Sequence, residues 1–277
     1  MPGTCAKQRI NGAYPEGIAL AGANFDLKNY EKLNPHFRVQ HQGKELVYMT
    51  PNSTCLWRVE TLLSKEPSTI GWLDGFPIGG DFLDVGANVG MYSIYIGVMR
   101  QGRVYAFEPE SQNYALLQRN ILANKLGGRV IGWCAALSDH EGFDRLHLSE
   151  FVPGSSCHSF GESRDPYLKE RASPFTQGCF ATTIDRLVQQ GDMPAPHYIK
   201  IDVDGFEHKV VRGAAETLKN PKLSSLLIEV NPALPEHRWI IDHLRDAHGF
   251  AFDPKQVAMA ERNEGFFKGV AEYVFRR

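Results

Sequence analysis

The stretch "GGDFLDVGANVGMYS", residues 79–93, decides the fold. An apolar run, Phe82-Leu83-Asp84-Val85, enters a loop of small residues, Gly86-Ala87-Asn88-Val89-Gly90. A helical pattern starts directly behind it, with Met91, Ile94, Tyr95, Val98 and Met99 on one face. A strand that turns into a helix through glycines aims free helix N–H groups at whatever sits on the turn, and so marks a ligand site.

Three ligand classes compete for that turn. A mononucleotide loop needs Gly-Lys-Ser/Thr, because lysine neutralises phosphate. Here Met91 and Tyr92 follow Gly90, and that reading fails. A nicotinamide dinucleotide needs GxGxxG, so that the backbone can approach the pyrophosphate. Position 88 is Asn and position 91 is Met, so an oxidoreductase is disfavoured. S-adenosylmethionine carries no phosphate. Its amino-acid end suits a carboxylate at the strand end, Asp84, and the N–H groups of the turn from Asn88 to Gly90. Its ribose hydroxyls want an acidic acceptor at the end of the next strand, about 20 residues on. "YAFEP" places Glu108 there, 18 residues after Gly90.

Working outward, strand-like runs alternate with helical ones. The strands are "DFLDV", "RVYAFEP", "RVIGWCAAL", "HYIKIDV", "SSLLIEV" and "AEYVFRR". The helices are "GMYSIYIGVMR", "SQNYALLQRNILAN" with a Ser111 cap, "FEHKVVRGAAETLKN" and "PEHRWIIDHLRDAHG". Such alternation predicts a largely parallel α/β sheet covered on both faces. Ahead of it stand a Gly/Pro/Asn-rich arm over residues 1–40, a strand in "KELVYMT" and a helix in "PNSTCLWRVETLLSKE" capped by Asn52 or Ser53. The expected domains are an N-terminal extension over 1–75 and a main domain over 76–277. Residues 140–180 read as an irregular, polar insert, the expected substrate lid.

The 277 residues are 43% hydrophobic and 22% charged, with a net charge of −2. No basic footprint for nucleic acid is present. No apolar stretch reaches about 18 residues, which excludes an integral membrane span, and the N-terminus lacks a secretory signal. The five cysteines, Cys5, Cys55, Cys134, Cys157 and Cys179, are widely spaced without CxxC. That pattern argues against disulfides and zinc, and for reduced thiols in the cytoplasm. Nothing in the sequence fixes the oligomeric state.

In order and spacing, "FLDVGANVGMYS", "VYAFEPESQNYALLQRNILAN", "ALSDHEG", "YIKIDVDGFEHKVVRGAAETL" and "LLIEVNP" resemble the FkbM family of S-adenosylmethionine-dependent methyltransferases. The resemblance covers about residues 45–275 and implies a Rossmann-like class I methyltransferase fold, a seven-stranded, mostly parallel sheet whose last strand is antiparallel. It also implies O-methylation of hydroxyls on sugars, glycans or polyketide-like metabolites. By that analogy Asp84, Gly86, Asn88, Gly90 and Glu108 line the cofactor, with Tyr92, Ser93 and Pro109 beside them. Ala136, Leu137 and Ser138 lie by the adenine, and Asp202 closes the methionine end. The family usually has Glu where this chain has Asp204.

Methyl transfer from a sulfonium needs in-line alignment, and positioning alone supplies up to ~7–11 kcal/mol. An aliphatic hydroxyl is as weak an acid as water, so a base typically adds ~10²–10⁴-fold. Candidates at the strand ends are Asp202 and Glu229, which together could also share Mg²⁺. His158, in the insert, is a third candidate base. Cys157 is not a convincing nucleophile. His208 reads as a surface residue, and Lys200 as a strand residue reaching the cleft or water. An amino-methylating turn of Asn/Asp-Pro-Pro-aromatic type is absent, since the corresponding residues read "DVDGF". The rival reading is a catalytically silent cofactor-binding module.

Overall fold

The computed structural model describes residues 27–277. A short helix, α1 (Leu27–Lys32), precedes a hairpin of β1 (His36–His41) and β2 (Lys44–Met49), then α2 (Ser53–Glu60) and α3 (Pro67–Asp74). Asn52 caps α2 by accepting the Cys55 amide at 2.8 Å. Residues 1–26 of the expected arm lie outside the described residues. Its last part is strand, because Phe37 to His41 pair with "KELVYMT".

The main sheet begins with β3 (Asp81–Val85), all five residues buried. Next come α4 (Met91–Tyr95), continued by a π-turn over Ile96–Arg100, β4 (Arg103–Phe107), α5 (Ser111–Ala123) and β5 (Val130–Trp133). The cap of α5 is Glu110, not Ser111: its carboxylate accepts the amides of Gln112 and Asn113. The chain then leaves the sheet and returns as α6 (Ile184–Gln190), β10 (Tyr198–Ile201), α7 (Glu207–Arg212), β11 (Ser225–Val230), α8 (Pro235–His248), β12 (Ala251–Phe252), α9 (Pro254–Ala260) and β13 (Ala271–Arg276).

The spatial order is β12-β13-β11-β10-β3-β4-β5. The strands from β11 to β5 are parallel, while β13 runs antiparallel to both β11 and β12. Alternate residues of each strand serve opposite faces. Phe82, Val104, Ala106 and Leu227 join one core with β2, α2, α3, α4 and α5. Leu83, Val85, Phe107, Ile201 and Ile228 join the other with α6, α7 and α8. β3 and β10 adjoin, although β4 and β5 come between them in the chain. That reversal is the switch point where such sheets bind ligands, beyond the carboxyl ends of the strands.

The insert is not irregular. β6 (Ala136–Leu137), β7 (Gly142–Leu148), β8 (Ser159–Phe160) and β9 (Phe175–Thr182) form a second sheet, ordered β6-β9-β7-β8. One face buries Leu146, Leu148, Cys179 and Ala181, and the other leaves Phe143 exposed. The N-terminal hairpin is sewn to α5 by two carboxamides. Asn124 bonds both the N–H and C=O of Val47, and Asn120 accepts the Met49 amide while donating to Val89.

Candidate functional site

The glycine turn closes tightly against β10. Gly86 has φ +78°, and a Cβ there would lie 1.9 Å from the backbone oxygen of Asp202. Only glycine allows β3 and β10 to converge so closely. Gly90, at φ +84°, is pressed on Leu117 of α5. Asn88 also has positive φ, a conformation asparagine tolerates. Its amide N–H donates to Glu108 Oε2 at 2.8 Å, and the Glu110 amide donates to Oε1 at 2.9 Å. Glu108 is buried, and burial pushes its pKa up to about 7 against the pull of those two amides.

Asp84 is buried in the middle of the sheet, beside Lys200 on β10. Its Oδ2 accepts the Ser93 hydroxyl at 2.6 Å, while Oδ1 is buried without a hydrogen-bond partner among the described residues. Burial raises its pKa, and Lys200 and Ser93 pull it back. Lys200 is buried as well, not at the surface. Its Nζ donates to Asp202 Oδ2 at 2.8 Å and stands 5.3 Å from the centre of the Tyr92 ring. Burial opposes charge on Asp202, but Lys200 outweighs it and holds the carboxyl below its ordinary value.

Around this pair lies a second set of charges. Arg262 donates to Glu229 Oε1 and Glu272 Oε1, both at 2.6 Å, and stands 3.5 Å from Glu66. Tyr92 donates to the other oxygen of Glu66 at 2.6 Å. Burial and the charge of Asp202 raise Glu229 to about 7 despite Arg262. Asp202, Glu207 and Glu229 present carboxylate oxygens within 4.8 Å of one another. Asp202 and Glu229 are already paired with Lys200 and Arg262, and Glu207 lies 3.1 Å from Nε2 of His237, whose Nδ1 accepts the Asn231 amide. Their charge is therefore answered by the chain itself, and the arrangement lends no support to Mg²⁺.

The structure thus brings Asp84, Gly86, Asn88, Gly90, Ser93, Glu108 and Asp202 together at the switch point. Tyr92 faces Glu66 and Lys200. The Pro109 carbonyl accepts from Gln177 of β9. Ala136 and Leu137 are buried in strand β6, and the Ser138 amide donates to Thr182. Trp133 and Cys134 lie nearer Glu108: the Trp133 carbonyl accepts the Glu108 amide, and the Glu108 charge raises the Cys134 thiol further after burial. His158 forms no hydrogen bond to Asp202 or Glu229 among the described residues. Its Nδ1 accepts the Ser149 amide, and burial and Arg171 lower its pKa to about 4. A ring so placed has its basic nitrogen already engaged. His208 is buried and stacked on Phe206, not exposed. Sequence reasoning missed Glu66, Arg262 and Glu272, which no local motif marks.

The strand order, the antiparallel β13 and the acid-bearing ends of β3 and β4 define a Rossmann-like class I methyltransferase fold. A family model described as the methyltransferase FkbM domain matches residues 84–252, and the chain belongs to that family. The hexuronic acid methyltransferase AglP of Haloferax volcanii is 23% identical over 176 residues, covering 64% of this chain and 66% of that protein. The 31-O-demethyl-FK506 methyltransferase FkbM of Streptomyces tacrolimicus is 27% identical over 201 residues, 64% of this chain and 75% of that one. A crystal structure of methyltransferase FkbM from Methylobacillus flagellatus KT is similar at 16% identity and a TM-score of 0.47, covering 73% of this chain and 44% of the other. No helix among the described residues is long and apolar enough to cross a membrane.

Proposed function

We propose that the protein is an S-adenosylmethionine-dependent O-methyltransferase acting on a hydroxyl of a sugar, glycan or polyketide-like small molecule in the cytoplasm. Glu108 carries the reading. It is a buried carboxyl at the end of β4, bonded to the glycine turn and lacking a cation partner among the described residues. Such a group suits two neutral hydroxyls. The unpartnered Oδ1 of Asp84 suits an ammonium group at the other end of the same cleft. S-adenosylmethionine, when bound, supplies a methyl group on a cationic sulfur.

In this reading Glu108 accepts the ribose hydroxyls, and Asp84 and Asp202 hold the methionine end. Asp202, kept ionised by Lys200, is a poor proton acceptor and serves to position. Glu229, at about 7, is matched to take the hydroxyl proton near neutral pH. The described part of the N-terminal extension, residues 27–75, and the insert over 140–180 build the acceptor pocket. The names of the Haloferax and Streptomyces relatives, one acting on a hexuronic acid and one on a demethylated FK506, support an acceptor of this class.

The test is thermal unfolding with S-adenosylhomocysteine and, separately, with NAD⁺. A ligand at 100 times its Kd adds about 2.7 kcal/mol, roughly 5 °C here. A shift with the homocysteine compound alone is expected. A shift with NAD⁺ alone would overturn the reading, and absence of methyl transfer to every hydroxyl acceptor offered would favour the silent module.

A further inference from the structure

Residues 153–157 leave the second sheet and lie across the glycine turn, where Gly154, Ser155 and Cys157 are buried. Side chains from four parts of the fold hold this short run. From α2 and its cap, Asn52 Nδ2 donates to the Pro153 carbonyl at 2.9 Å and Arg58 Nε to the Gly154 carbonyl at 2.6 Å. From the turn, Asn88 Nδ2 donates to the Ser155 carbonyl at 2.7 Å. From the loop after β10, Asp204 Oδ2 accepts the Cys157 amide at 2.7 Å.

The fourth is Asn113, in the first turn of α5. It is fully buried and grips the run at two points: Oδ1 accepts the Gly154 amide at 2.7 Å, and Nδ2 donates to the Ser155 carbonyl at 3.0 Å. The link to Glu108 is Asn88, whose side chain holds the Ser155 carbonyl while its backbone N–H donates to Glu108 Oε2. The backbone is shaped for the site. Gly154 has φ +89°, and a Cβ there would lie 3.0 Å from Cys55 Sγ. Cys157 and Asp204, joined by their hydrogen bond, both have positive φ, which non-glycine residues rarely adopt.

We propose that residues 153–157 are a strap that shuts the cofactor cleft, and that Asn88 ties its closure to Glu108. The inference rests on the proposed reading of that cleft as the S-adenosylmethionine site. A cofactor enclosed by the strap leaves only when these side-chain bonds open together, so the strap sets the exit rate of the demethylated product. Asn88 makes closure sensitive to what Glu108 binds, because one residue bonds both.

Two variants from opposite sides of the strap test this. Arg58→Ala removes a tether on the α2 side, and Asn113→Ala removes the two-point grip from α5. Hydrogen–deuterium exchange is followed in the peptide spanning 150–160, and S-adenosylhomocysteine dissociation by stopped flow. Each variant should raise both the exchange rate and the dissociation rate about tenfold, with association changed far less. Arg58→Lys, which keeps a donor for the Gly154 carbonyl, should return both rates toward the parent protein. Binding of S-adenosylhomocysteine with both rates unmoved in a folded Arg58→Ala protein would overturn the strap alone. No binding by the unaltered protein would overturn the cofactor reading and the strap with it. Should Asn113→Ala fail to fold, Arg58→Ala and Arg58→Lys still decide the question.

Discussion

At the end of β4, Glu108 is held by the amides of Asn88 and Glu110, both neutral donors. At the ends of β10, β11 and β13, Asp202, Glu229 and Glu272 are held by Lys200 and Arg262. All four carboxyls stand at the same edge of one sheet, Glu108, Glu229 and Glu272 buried and Asp202 half-buried. Neutral donors fix a carboxylate in place and leave its charge for a ligand. Cations fix it and consume the charge, which makes a rigid frame. On the proposed reading, the ribose end is built to bind, and the methyl end holds a geometry around the one proposed base, Glu229.

Removing the central cation should break that contrast most severely. Arg262→Ala leaves Glu66, Glu229 and Glu272 buried around a lost partner, and should cost about 3–5 kcal/mol in urea unfolding. A loss under about 1 kcal/mol would mean that the frame is not held by charge. Glu108→Ala should damage binding instead: two charge-assisted hydrogen bonds to ribose disappear, and calorimetry should show S-adenosylhomocysteine affinity down by roughly 100-fold. Undiminished affinity would sink the ribose assignment.

Glu229→Gln sharpens the comparison within the methyl end. It keeps the volume and an acceptor for Arg262 but removes the proposed proton acceptor. The turnover number should fall by at least about 100-fold while cofactor affinity holds. An unchanged turnover number would leave Glu229 as frame alone.

The smallest effect is in pH. A pKa near 7 at Glu108 means that ligand binding, which favours the ionised form, tightens as pH rises through 7. Below that point affinity should fall by up to about tenfold per unit, and Glu108→Gln should flatten the profile. Stability moves the other way. The folded pKa lies above the unfolded value of about 4.3, so the Glu108 contribution is full below that value and is lost as pH rises through 7. The stability of the ligand-free Glu108→Gln protein relative to the parent should therefore grow between about pH 5 and 8, as thermal unfolding of both can show.

The parts of this arrangement that could be read from sequence are those written in one stretch. "DFLDVGANVG" and the acid 18 residues beyond it are local, and the strand–turn–helix they predict is what forms. The buried strands announced themselves as unbroken apolar runs. β7 and β9 did not, because one face is exposed and their residues include Gly142, His147, Gln177 and Gly178. β12 has two residues, too few for any period. Arg262 had no signal at all: its partners, Glu66, Glu229 and Glu272, come from three distant segments that only the fold unites. Lys200 sat in plain view inside "YIKIDV", but its burial follows from Asp84 on the neighbouring strand, which periodicity cannot report.

Asn120 and Asn124 have a consequence beyond anchoring the hairpin. Val47 and Met49 turn their amides away from β1, toward a side where a strand of another molecule could add. The two carboxamides occupy those groups with the geometry of a neighbouring strand. A template for intermolecular pairing is thus closed from within the chain, without a charge or a proline to block it. Among the described residues the outer edge of β1 has no strand partner, and there the exposed, salt-bridged Arg38 discourages a second chain from docking.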